Sequence, residues 1–153
     1  MNQNKVTPGA IVLLASGAVV FLASFLHWFS GSGRTANAWS KGSRFLTTLP
    51  VILSIVIIVL VVLATFSEAK LPTAFGGLSM MQLVLVLSAW AALMMLCFLV
   101  GQAGVTVRGF TAGVNKSIGF WLALLGTIGM VFGAVLSLLQ PAAPAPPYPP
   151  FPQ

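Results

Sequence analysis

Acidic side chains are all but missing from this chain: Glu68 is the only one among 153 residues. Histidine and cysteine are as scarce, with His27 and Cys97 the single examples of each. These shortages exclude whole classes of chemistry. General acid–base catalysis needs paired titratable groups, and Glu68 and His27 lie in different connections. Metal sites take three or four ligands from His, Cys and carboxylates, and these three residues are the full supply. No serine has a base and an orienting acid beside it. One cysteine allows no internal disulfide. The expectation is a protein that is not an enzyme, with no catalytic residue, no metal and no cofactor.

Charge of either sign is scarce. Charged residues make up 5% of the chain, against about 25% in a soluble domain, while 58% are hydrophobic and the mean hydropathy is +1.04. A surface that faces water cannot be built from this supply. The net charge of +6 comes from seven cations against one acid. Lys5, Arg34, Lys41, Arg44, Lys70, Arg108 and Lys116 are scattered rather than clustered. A nucleic-acid partner is therefore not expected, and anionic headgroups of membrane lipids are the natural counter-charge.

What is present is apolar sequence in long runs. Residues 9–29, 49–66, 78–100 and 118–139 contain no Asp, Glu, Lys or Arg. At 1.5 Å per residue, about 20 residues cross a hydrocarbon core of roughly 30 Å. Backbone groups in lipid must bond within their own segment, so each run is expected to be a helix. The fold class read from this is all-α: an integral membrane four-helix bundle, multi-pass in the plasma (inner) membrane. The connections are too short for a second core. The first run follows Lys5 and precedes an Ala36-Asn37-Ala38 of cleavage-site form. It exceeds the usual apolar region of a signal peptide, roughly 7–15 residues, and is read as a retained span.

Several local features follow. Pro8 suits a helix start, and Pro50 is expected in the first turn of span two, where its missing N–H costs little. Trp28, Phe29, Trp39 and Trp121 read as interface aromatics. Span four carries Gly119, Gly126 and Gly133 at heptad spacing and a GxxxG from Gly129 to Gly133. Residues 126, 129 and 133 share a helix face, a helix-packing surface for span one, span three or another protein. Met80, Met81, Met94, Met95 and Met130 read as adaptable core filler. Gln82, Ser88, Thr127 and Ser137 can bond to their own helices. The absence of a charge within the spans argues against autonomous ion-coupled transport.

Gly33, Thr35 and Ala36 recur 76 positions on as Gly109, Thr111 and Ala112, in the two long loops. Two helical hairpins with both long loops on one side would suit this echo. Those loops hold Arg34, Lys41, Arg44, Arg108 and Lys116, against Lys5 and Lys70 elsewhere. The positive-inside rule then places the long loops in the cytoplasm and both termini outside. Residues 140–153 are half proline and are expected to form a disordered, extended tail, with PxxP at 144–147 and 147–150.

Trp28-Phe29-Ser30, Asn37-Ala38-Trp39 and Gly119-Phe120-Trp121-Leu122-Ala123-Leu124-Leu125, together with the Pro-rich tail, form a pattern. It resembles a group of small four-span actinobacterial membrane proteins, mostly without assigned function. The resemblance covers nearly the whole chain on short motifs. It implies an accessory subunit that docks on other integral membrane subunits. One such setting is the mycobacterial Mce-type lipid importer, with its permease pair, ATPase and periplasmic tunnel; a respiratory supercomplex is another. A stand-alone pore-forming (holin-like) or lipid-binding membrane protein is the alternative from a different class.

Overall fold

The computed structural model describes residues 7–31, 34–40, 44–66, 74–75, 77–100, 105–107, 110–112 and 115–140. Glu68, Lys70 and the expected extended tail from Pro141 lie outside the described residues.

Each apolar run forms a helix, and the end of the first shows why it stops where it does. α1 spans Pro8–Ala23. Thr7 caps it by accepting a hydrogen bond from the Ala10 amide at 3.2 Å, and Pro8 occupies the first turn. The run was expected to stay helical to Phe29; it ends six residues earlier. Phe25 and Leu26 donate to Leu22 and Ala23 in a tightened last turn, and the Ser24 hydroxyl bonds the Phe21 carbonyl at 2.6 Å. The buried Trp28 indole then takes the Ala23 carbonyl at 2.8 Å. In a continuing helix that carbonyl would serve the amide four residues on. Phe25 and Leu26 remain exposed and apolar, so the composition of the run conceals its end.

α2 spans Arg44–Phe66, with Pro50 inside it. This corrects the expected position of Pro50: the helix begins five residues earlier than Leu49, and Pro50 sits in its second turn. α3 spans Met80–Val100 and α4 spans Ile118–Leu139. Three helices are long and apolar enough to cross a membrane: α2 over Thr47–Phe66, α3 and α4. With 16 residues, about 24 Å of rise, α1 is apolar but shorter.

The helices pack in a ring, α1 against α4, α4 against α3, α3 against α2 and α2 against α1. The closest association is between α1 and α4. Ring neighbours run antiparallel, so the connections alternate between the two ends. Inside lie two apolar clusters. One holds Ala10, Leu13, Val20, Ile57, Val61, Val84, Met130 and Ala134. The other gathers Ala23, Trp28, Phe29, Ala38, Val51, Met95, Phe120, Ala123 and Leu124.

Short strands close the end of the bundle that holds the second cluster. β1 (Phe29–Gly31) pairs with β2 (Arg34–Ala36). β5 (Val105–Val107) with β6 (Phe110–Ala112) is a further hairpin between α3 and α4, while β3 (Ala74–Phe75) with β4 (Leu78–Ser79) joins α2 to α3 at the opposite end. β7 (Asn115–Lys116) adds to the free edge of β1, joining Phe29 to Lys116 and Ser30 to Asn115. The two long loops therefore meet on one side, as the sequence echo suggested. A shift of 76 residues carries β1 onto β5 and β2 onto β6 in the same register, Phe29↔Ala36 becoming Val105↔Ala112. Each half is helix, hairpin, helix. A two-fold turn about the bundle axis would exchange α1 with α3 and α2 with α4.

Candidate functional site

No reactive constellation emerges among the described residues, where no group of three or more His, Cys, Asp or Glu comes together. Ser54, Ser88 and Thr127, buried in α2, α3 and α4, are engaged with their own helices. Ser54 donates to the Pro50 carbonyl at 2.8 Å, Ser88 to Val84 at 2.7 Å and Thr127 to Leu124 at 2.9 Å. Ser137 likewise donates to Gly133 at 3.0 Å. These bonds leave the interior with no free polar stripe among the described residues. Gln82 behaves differently: its Oε1 accepts from the Ser79 amide at 2.8 Å, while its own amide donates to Ser79 Oγ at 3.3 Å. This reciprocal capping box starts α3, and its signature, Ser79-x-x-Gln82, is readable in the sequence.

The candidate surfaces are thus packing surfaces. The glycine face of α4 is turned to α1, inside the chain. A β-carbon at Gly133 would stand 2.8 Å from the Leu13 amide nitrogen and 3.1 Å from the Gly9 carbonyl oxygen. At Gly126 it would meet Val20 Cγ2 at 2.6 Å and the Ser16 carbonyl oxygen at 3.1 Å. At Gly129 it would meet the Ser16 side chain, and at Gly119 the His27 carbonyl and Trp28. Gly126, Gly129 and Gly133 therefore form one seam, while Gly119 sits under the β1 turn. The seam also uses Gly9, on which the sequence reading placed no weight; its signal was a glycine one residue into the first helix.

The interface aromatics divide. Trp39 and Trp121 are 43% and 45% exposed, but Trp28 and Phe29 are buried. For these two the belt assignment is corrected: they turn inward onto Phe120, with ring centroids 6.5 and 5.9 Å away. The reason is the early end of α1, which folds the following residues over the mouth of the bundle. Trp39 lies back on α1, stacked on Phe25 and donating to Ser24 Oγ at 2.9 Å. Lys116 donates to the Leu99 carbonyl, near the C-terminus of α3, and stands 5.9 Å from the Phe120 ring centroid. A cation at a helix C-terminus is favourable. Met95 and Met130 are fully buried. His27 and Cys97 are exposed.

Compared with protein-family models, curated proteins and solved structures, the chain matches none of them.

Proposed function

We propose that this chain is a non-enzymatic membrane subunit that docks on the membrane part of a larger complex and supports its assembly or regulation. The observation that carries this reading is where the polar bonds go. Ser54, Ser88, Thr127 and Ser137 all return to their own helix backbones, and the surrounding interior is filled by apolar side chains. Such a bundle has surfaces to offer a neighbour, and no described titratable group within it to move a proton or an ion. All four helices expose large apolar side chains, from Ile11 and Leu22 to Leu125 and Phe132. They suit lipid or other membrane helices, and we place the chain in the plasma (inner) membrane on that ground.

Among complexes, the resemblance to small actinobacterial membrane proteins favours an Mce-type lipid importer, with a respiratory assembly next. Isolation in mild detergent from native membranes tests the general reading. Co-purification of defined integral membrane subunits at fixed stoichiometry is the expected result. A strictly monomeric protein, free of partners in every mild detergent tried, would defeat it. A holin-like pore predicts collapse of membrane potential on expression; the proposed role predicts none.

A further inference from the structure

The two ends of the bundle are unequal in charge. α1 and α3 end where α2 and α4 begin, so residues 24–43 and 101–117 connect the helices at one end. The pairing of β1 with β7 joins these two connections directly. Together with the first residue of α2 they hold Arg34, Lys41, Arg44, Arg108 and Lys116, and no Asp or Glu. The N-terminal segment and the α2–α3 connection belong to the opposite end. They hold Lys5, Lys70 and the only acid of the chain, Glu68. Helices of 21–23 residues, roughly 30 Å of rise, separate that acid from the cationic end. No carboxylate of this chain neutralises it.

Lys116 shows what the protein offers in place of an acid. It is half-buried, its ammonium donates to the Leu99 carbonyl, and it stands 5.9 Å from the Phe120 ring centroid. A helix C-terminus and an aromatic face both attract a cation, but neither cancels its charge. Arg34 opens β2 opposite Gly31, and Arg44 opens α2. Phe25, Trp39 and Trp121 are exposed at the same end. Trp39 is bonded to Ser24 just past α1, and Trp121 lies in the first turn of α4. Indoles favour the headgroup level of a bilayer, where phosphates are the nearest anions. A basic residue beside an anionic membrane surface strengthens binding about fivefold.

We propose that this end of the bundle binds anionic phospholipid headgroups, with Arg34 and Arg44 supplying part of its charge. The inference does not depend on the docking role above. Its test uses the full chain, purified in neutral detergent and offered phosphatidylglycerol and phosphatidylcholine in equal amounts. Native mass spectrometry counts the lipid that stays bound. Phosphatidylglycerol should be retained over phosphatidylcholine by about tenfold or more, and less so as salt is raised. Arg34→Gln combined with Arg44→Gln should lower the preference roughly four- to twentyfold, about two- to fivefold for each charge. Lys5→Gln combined with Lys70→Gln removes the same charge from the other end and should leave it within about twofold. If the arginine double variant loses its helical circular dichroism, the two single variants carry the test. Equal retention of the two lipids would overturn the proposal, as would a preference indifferent to salt. Equal losses in both double variants would also overturn it, by making net charge the cause. Displacement of the lipid by inorganic phosphate would make this a site for the free anion instead. An acidic protein bound to the parent in native membranes, and lost from the arginine variant, would assign this end to that protein.

Discussion

At Gly133 a single methyl group decides how near α1 can lie to α4. The atoms it would meet, the Leu13 amide nitrogen at 2.8 Å and the Gly9 carbonyl oxygen at 3.1 Å, are backbone and cannot rotate away. At Gly129 the first atom met is the Ser16 hydroxyl, at 2.5 Å, and a hydroxyl can swing to another rotamer. Gly133→Ala should therefore destabilise the bundle by about 1–3 kcal/mol, the range for overpacking, and Gly129→Ala by clearly less. Unfolding in mixed detergent–SDS micelles measures both, and equal losses would contradict the backbone argument. Trp28 carries a different burden, because its indole is fully buried and bonds the end of α1. Trp28→Phe removes one of the two bonds to the Ala23 carbonyl, the Leu26 amide keeping the other, and should cost about 0.5–1.5 kcal/mol in the same titration. Trp121→Phe, at a half-exposed ring, should stay within about 0.5 kcal/mol of the parent.

The helices differ in how their ends are secured. α1 begins with a threonine cap and ends beneath an indole. α3 begins with the reciprocal Ser79–Gln82 pair. The α4 N-terminus relies on a neighbouring chain segment: Gly119 donates to the His27 carbonyl, and Ser117 makes no side-chain cap. Ser79→Ala should free the first-turn amide of Gln82 and weaken α3 by about 0.5–2 kcal/mol. Hydrogen exchange at Met80–Gln82 would report it as faster exchange confined to that turn; unchanged protection there would mean that the cap contributes nothing. The capping box stood in the sequence as Ser79-x-x-Gln82. The end of α1 did not, because Phe25 and Leu26 are as apolar as the helix they follow. What stops the helix is a bond from a residue five positions further along, made possible only by burial of Trp28.

As a whole the molecule is two helix–hairpin–helix halves with unequal packing between them. α4 contributes four glycines to its partners' approach, whereas α2 has none. The tightest association, α1 with α4, joins the first half to the second. Membrane helices form individually before they associate, so the two halves should recombine without a covalent link. Co-expressed fragments cut between α2 and α3 are expected to co-purify, and Gly133→Ala in the second should weaken their association. Failure of the unmodified fragments to associate would mean that the α1–α4 seam is too weak to hold the halves together. The alternation of helix direction also places the start of α1 and the end of α4 at the same end, Gly9 lying against Ser137.

Composition alone determined that the chain is helical, apolar and made of four segments, because lipid-compatible backbone has so few ways to bond and the runs are nearly free of charge. The echo of Gly33, Thr35 and Ala36 at 76 residues suits two hairpins of the same register, though three shared residues do not by themselves fix that pairing. Which helix receives the glycine seam, and that Trp28 and Phe29 face inward while Trp39 and Trp121 face outward, were decided only by the tertiary structure. Apolar sequence marks what avoids water; it does not distinguish a side chain that meets lipid from one that meets another helix. That distinction depends on close approach between segments far apart in the chain.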